Sequence, residues 1–199
     1  RILVRRRTPP LPSSPLRRGA ANPRPAPQPS PVPDQLSFEP LTRAHIDTLA
    51  PVLRHPAVYA HIEDAVPTLS DFRLGLQRAL DGPPASRPGE RWLHFLVRDA
   101  TGAAVGRLEA TVHHGLAEVA FLFGPPYWGR GWARAGLQWL HGEVARRTGV
   151  GDFWATTTPG NLRSQRLLRR CGYAPSQPPA GLLYSHEPGD LVFHHRPGG

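Results

Sequence analysis

An apolar run at 116–123 meets the glycine-rich turn Tyr127-Trp128-Gly129-Arg130-Gly131-Trp132-Ala133, after which the period becomes helical, with Ala133, Leu137, Leu140 and Val144 on one face. A strand entering such a turn and leaving as an amphipathic helix is a physical solution to binding phosphate. Gly129 and Gly131 let the backbone approach an anion with no Cβ in the way, and the amides of the helix N-terminus point at it with the favourable end of the macrodipole. A tight turn without a ligand is the plainer reading of the same residues.

The flanking segments extend the pattern. Leu36-Ser37-Phe38-Glu39-Pro40-Leu41 alternates as a first strand, and Thr42 suits the cap of a helix through Ile46, Leu49 and Leu53 that Pro56 ends. A second helix starts near Ser70, with Phe72, Leu74, Leu76 and Leu80 as its apolar stripe, and Gly82-Pro83-Pro84 stops it. A meander follows over 92–98, 104–113 and 116–123, with a tight turn at His114-Gly115. Beyond the turn helix come a strand at 153–158, a helix over 161–171, and apolar segments at 182–184 and 191–193. Strands followed by β-α-β-α-β describe an α/β sheet with helices packed against it.

The first 34 residues differ in kind. They hold Arg1, Arg5, Arg6, Arg7, Arg17, Arg18 and Arg24 against Asp34 alone, and proline recurs from Pro9 to Pro33. Such a stretch offers nothing to offset ordering entropy, so 1–34 is expected to be a disordered extension and 35–199 the folded domain. Most of the net charge of +9 belongs to it, since the remainder carries 17 basic and 14 acidic residues. Its arginines could contact nucleic acid or an acidic partner, although the interleaved aromatics of a dedicated single-strand binder are missing. Arg1 to Arg7 resembles the start of a secretion signal, but proline follows where an apolar segment should be. No run approaches the roughly 20 apolar residues of a membrane span. With a single cysteine, Cys171, these features lead us to expect a cytoplasmic protein, and since the chain starts without Met its true N-terminus is expected to be missing or processed.

A second motif, Asn161-Leu162-Arg163-Ser164-Gln165-Arg166-Leu167-Leu168-Arg169-Arg170-Cys171-Gly172-Tyr173, lies about thirty residues after the turn. Asn161 suits a helix cap and Gly172 a helix exit. As a pair, the two motifs resemble the GNAT acetyltransferase superfamily. Its phosphate turn has the form Gln/Arg-x-x-Gly-x-Gly/Ala, and Trp128-x-x-Gly131-x-Ala133 occupies that place. Trp in the first position is similar to the branch that acetylates ribosomal-protein N-termini, as is His55-Pro56-Ala57-Val58-Tyr59. That branch usually has an acidic residue two positions after the Ala; here stands Ala135, followed by Gly136, which in a helix costs about 1 kcal/mol relative to Ala.

The resemblance implies a mixed, mostly antiparallel twisted α/β sheet of about six to seven strands flanked by about four helices. It implies acetyl-CoA as donor, no metal, and a primary amine as acceptor, either a protein N-terminus or a small molecule, in a monomer or homodimer. The pyrophosphate would lie on Trp128, Gly129, Arg130, Gly131, Trp132, Ala133 and Arg134. The pantetheine arm would lie in a split beside Phe121, Leu122 and Phe123, reaching Asn161, with Ser164 near the thioester. Many members place a Tyr acid four residues after this Ser; the chain has Leu168 there, which leaves Ser164 or a water to protonate the thiolate.

Strand geometry suggests the base. With a two-residue hairpin at His114-Gly115, Glu118 faces Thr111 and Ala120 faces Glu109, so Glu118 and Glu109 share a sheet face with Cα atoms roughly 7 to 8 Å apart. Two carboxylates in a partly desolvated groove should raise the pKa of at least one, as a base near neutral pH requires. Glu118 is the first candidate, through water; the structural alternatives are a salt bridge to an arginine for Glu118 and pairing with Arg107 for Glu109. Trp92, His113 and Tyr184 are possible acceptor contacts. The pairs His113-His114 and His194-His195 should not share a metal, because adjacent strand residues point to opposite faces. Cys171 reads as a small buried apolar residue. A non-catalytic acyl-CoA-binding module is the alternative from another class, and Leu168 is the feature that admits it.

Overall fold

The computed structural model describes residues 36–62 and 65–197, so the extension at 1–34 lies outside the described residues. The described residues begin with β1 (Leu36–Pro40), a single 3-10 turn at Arg43–His45, and α1 (Ile46–Leu53). Thr42 is the cap before this turn: His45 reaches back to its backbone N–H at 3.2 Å. Pro56 does more than end α1, because it opens the short α2 (Pro56–Tyr59), where its missing N–H costs nothing at the first helical position. Thr68 caps α3 (Leu69–Leu80) by accepting from the Asp71 amide at 3.1 Å. Phe72, Leu76 and Ala79 face inward, whereas Leu74, expected in the stripe, is exposed. The reason is the 3.6-residue period, which carries position 74 away from 72 and 76.

β2 (Arg91–Asp99), β3 (Ala104–His113) and β4 (Leu116–Phe123) form the meander. Then come α4 (Trp132–Thr148), β5 (Phe153–Thr157), α5 (Leu162–Arg170), β6 (Ala174–Pro175) and β7 (Leu191–His195). Among the described residues seven strands make one sheet in the order β1-β2-β3-β4-β5-β7-β6, antiparallel except for β4 beside β5. Five α helices accompany it among the described residues. The 182–184 segment, expected to be strand-like, forms part of an irregular connection, with only Leu183 buried.

Apolar residues cover both faces of the sheet. Beneath α4 and α5 lie Phe95, Leu108, Ala110, Val119, Phe123, Leu137, Leu140, Val144, Phe153 and Leu168. Leu137, Leu140 and Val144 are fully buried, each contributing about 1.5 to 3 kcal/mol. Gly136 is the price of this packing: a Cβ there would stand 3.2 Å from Leu108 Cδ1 and 3.4 Å from Phe123 Cζ. The helix-weakening glycine of the sequence is therefore what lets α4 approach β3 and β4. On the other face Leu49, Leu53, Phe72 and Leu76 pack on Leu96 and Ala104. Cys171 is buried within the first cluster, and burial pushes its thiol up to about 11.

Candidate active site

The parallel partners β4 and β5 are paired at only two positions, Ala117 with Phe153 and Glu118 with Trp154. β5 is meanwhile paired with β7 along all five residues, so it is β4 and β5 that part company. The opening leads into a cleft of about 220 Å³ whose walls include Val119, Phe121 and Leu122 of β4, Thr156 of β5 and Asn161 of α5. Phe121 and Leu122 line it, whereas Phe123 does not.

The glycine turn follows the end of β4, and neither its residues nor Phe123 are among those lining this cleft. Gly129 and Gly131 adopt φ of 76° and 80°, where a side chain would be strained, and Gly131 caps α4 from the left-handed region. An added Cβ at Gly129 would meet nothing within 4 Å, so its surroundings are open. The first-turn amides of Trp132, Ala133 and Arg134 have no intrahelical acceptor, and at the start of a 17-residue helix they suit phosphate oxygens. Arg130 and Arg134 are exposed beside them. The side chains of Trp132 and Phe123 are turned into the core, leaving only their backbone for a ligand. Trp128 has a structural task as well: its Nε1 donates to the Phe123 carbonyl at 2.7 Å, locking the turn to the end of β4. The Arg163 guanidinium lies 3.6 Å from the centroid of the Trp128 ring, so the two sequence motifs touch through a cation–π contact that the sequence did not reveal.

On the α5 lip, Asn161 Oδ1 accepts from the Ser164 amide at 3.1 Å, and both residues line the cleft with Leu168. Leu168 is 1% exposed. The nearby phenol of Tyr173 offers no substitute acid there, because its hydroxyl is buried against His141 Nε2 at 2.7 Å and burial raises its pKa well above normal.

The opposite lip carries the two carboxylates. The hairpin register is the expected one, with Thr111 opposite Glu118 and Glu109 opposite Ala120, and both glutamates line the cleft. The expectation of a raised carboxyl is not met. Burial pushes Glu118 up, but hydrogen bonds from His113, from the Ser185 hydroxyl and from the Tyr184 and Ser185 amides outweigh it and hold Glu118 below the usual carboxylate range. Its Oε1 receives His113 Nε2 at 2.7 Å and Tyr184 N at 2.7 Å, and its Oε2 receives Ser185 N at 2.9 Å. No arginine is involved. Burial also pushes Glu109 up, and the adjacent Arg107 and His94 outweigh it in turn. Arg107 Nη1 is 2.9 Å from Glu109 Oε2, a charge contact without hydrogen-bond alignment, and His94 Nδ1 is 3.5 Å from the same oxygen. The two carboxylates did not raise each other because each is surrounded by its own donors or cations.

Trp92 and Tyr184 line the cleft as expected, while His113 is buried behind Glu118. His61, Arg87, Ser185 and Glu187 also line it; they come from irregular connections and carried no periodic signal. The strand-alternation argument holds for His194, stacked on Trp154, and His195, packed near His141. It fails at His113 and His114, whose Nδ1 atoms are 3.1 Å apart, because His114 lies in the turn with φ of 47°. Among the described residues no group of three or more His, Cys, Asp or Glu is placed to hold a metal, and no helix is long and apolar enough to cross a membrane.

Comparison with known proteins fits this geometry. The family model described as an acetyltransferase (GNAT) domain matches residues 35–174. RimL, the ribosomal L7/L12 alpha-N-protein acetyltransferase solved with coenzyme A, superposes with a TM-score of 0.66 at 18% identity, covering 83% of this chain and 96% of its own. An acetyltransferase from Salmonella typhimurium that modifies the N-terminal serine of the same ribosomal protein gives 0.65 at 17% identity, with coverages of 81% and 95%. Spermidine N-acetyltransferase from Vibrio cholerae, solved with CoA and spermine, gives 0.62 at 16% identity, with coverages of 81% and 94%. No curated protein matches the sequence.

Proposed function

The chain belongs to the GNAT acetyltransferase family, and we infer that it transfers the acetyl group of acetyl-CoA to an α-amine by direct attack within a ternary complex. The observation that carries this reading is the parting of β4 from β5 after two residue pairs, with Asn161 and Ser164 on one lip and Glu118 on the other. That opening leaves the backbone of β4 beyond Glu118 without a neighbour on one side, free to bond a pantetheine arm and to direct amides at the oxygen that becomes negative on attack. Gly129, Gly131 and the first-turn amides of α4 suit the pyrophosphate, with Trp128, Arg130 and Arg134 around them. The donor supplies an activated thioester. Ser164, or a water beside it, passes a proton to the departing thiolate.

The amine must shed a proton, and here the carboxylates bear on the acceptor. Both are held below the normal range, so neither is a strong base; they favour positive charge without removing the proton efficiently. An α-amine titrates at about 7.7 to 8.0, so about a third is already free near pH 7.5, against about one in a thousand for an alkylamine near 10.4. The site therefore suits an N-terminus or amino-acid-like amine better than a polyamine. Glu118 keeps its place as the carboxylate nearest the acceptor, taking the proton only through water. The catalytic domain would span 35–199, since β7 completes the sheet beyond the family match. We place the reaction in the cytoplasm, where acetyl-CoA is available.

Calorimetry with acetyl-CoA, followed by thiol-release assays over peptides, amino acids and polyamines, tests this reading. Saturable binding with fastest release on α-amines is expected. Binding without release on any amine would favour a non-catalytic acyl-CoA-binding module, the alternative that Leu168 supports.

A further inference from the structure

The irregular connection between β6 and β7 is held over the cleft at one residue from three directions. The ring of Tyr184 lies between the His113 imidazole, stacked at 4.0 Å and 11°, and the Arg87 guanidinium at 4.9 Å from its centroid. Its hydroxyl donates to Glu90 Oε1 at 2.9 Å, and the other oxygen of Glu90 accepts from Trp92 Nε1 at 3.1 Å. Its backbone N–H and that of Ser185 are fixed by Glu118. Ser185 is tied to the neighbouring strand too, since Thr156 Oγ1 donates to its carbonyl at 3.1 Å. Tyr184 is nonetheless 38% exposed, so the ring stands at the mouth of the cleft and not in the core.

We propose that Tyr184 is the specificity gate of the acceptor groove, closing it against amines with a bulky first side chain and admitting those with a small one. This rests on the acetyl-transfer reading above. The ring joins two otherwise separate connections, 81–90 and 176–190, across the acceptor end of the cleft. The space in the cleft is about 220 Å³, below the roughly 300 to 1,000 Å³ of sites that enclose drug-sized ligands, and on the transfer reading the pantetheine end would share it. Tyr184 and Trp92 both line this cleft and are joined through Glu90, so an acceptor entering there meets a ring fixed in place. The ring is held by the buried His113 on one face, by Arg87 on the other and by Glu90 at its hydroxyl, and none of these belongs to the glycine turn, so removing the ring should widen the mouth without disturbing that turn. A wall contact of this kind discriminates by size, worth about 10- to 200-fold between acceptors.

The test compares two peptides alike except for alanine or leucine at the first position, with kcat/KM measured for the wild type, Tyr184→Phe, Tyr184→Ala and Arg87→Ser. The wild type should prefer the alanine-first peptide. Tyr184→Ala should shift the ratio at least tenfold toward the leucine-first peptide, with the affinity for acetyl-CoA unchanged. Tyr184→Phe keeps the stack and should stay within about threefold of wild type, and Arg87→Ser should move the ratio in the same direction as Tyr184→Ala by a smaller factor. An unchanged ratio in active Tyr184→Ala overturns the gate and leaves acetyl transfer standing. Should Tyr184→Ala fail to fold, an unchanged ratio in Arg87→Ser overturns it equally. If the wild type binds acetyl-CoA yet acetylates no amine, the transfer reading falls and the gate with it.

Discussion

Glu109 and Glu118 occupy adjacent strands, face the same cleft and are both held below the ordinary carboxylate range, yet they are built into the molecule differently. Glu109 is an ion-paired carboxylate set against Arg107 and His94, all three side chains less than a tenth exposed. Glu118 is a hydrogen-bond hub whose partners are His113 and the backbone of an irregular connection. One carboxylate is bound into the sheet, the other ties down the connection at Tyr184 and Ser185. Residue type and sheet face alone do not assign a role; the partners do.

Substitution should separate them. The largest effect is expected from Glu109→Ala, which strands the Arg107 charge and should cost about 3 to 5 kcal/mol in denaturant unfolding. Replacing Arg107 and Glu109 together by leucine should recover most of that loss. A single variant as stable as wild type would erase the contrast. Glu118→Ala should cost less stability, about 2 kcal/mol, but raise the acceptor KM by about a hundredfold and leave acetyl-CoA binding intact. Amide exchange at Tyr184 and Ser185 should accelerate in the same variant; unchanged exchange would mean that Glu118 does not hold the connection.

On the donor side, Trp128→Ala removes both the bond to Phe123 and the platform for Arg163, and should weaken acetyl-CoA binding about tenfold with acceptor KM little changed. The smallest effect concerns pH. Because both carboxyls are depressed, their stabilisation is present above the ordinary carboxylate range and is lost only as pH falls through their lower folded values, so it should erode below about pH 5. His141 behaves otherwise: burial lowers it to about 4, so protons bind the unfolded chain more readily from about pH 6.5 downward. Stability lost between pH 6.5 and 5 should therefore vanish in His141→Gln, as read from denaturation midpoints across that range.

The glycine turn and the cap of α5 were legible in the sequence because their geometry is local. Gly129 and Gly131 before an amphipathic helix, and Asn161 three residues before Ser164, are short-range patterns whose geometry follows from backbone rules. The hairpin register was legible for the same reason, since a two-residue turn fixes which residues face each other. The surroundings of Glu118 depend on contacts between residues far apart in the chain. Tyr184 and Ser185 reach Glu118 across more than sixty positions, and nothing in a polar, proline-rich connection marks two of its amides as partners of a buried carboxylate. The expected pKa was wrong for that reason: the carboxylate pair was visible, but the groups surrounding each member were not. Gly136 was likewise visible as a weakness in a helix, while the Leu108 and Phe123 side chains that require it were not.

The central claim is that this cleft acetylates an α-nitrogen, and the most direct test is mass spectrometry of a peptide carrying one free N-terminus and one internal lysine after incubation with acetyl-CoA and the protein. A single acetyl group located on the α-nitrogen is expected. Acetylation confined to the lysine, or a peptide of unchanged mass alongside saturated acetyl-CoA binding, would contradict it.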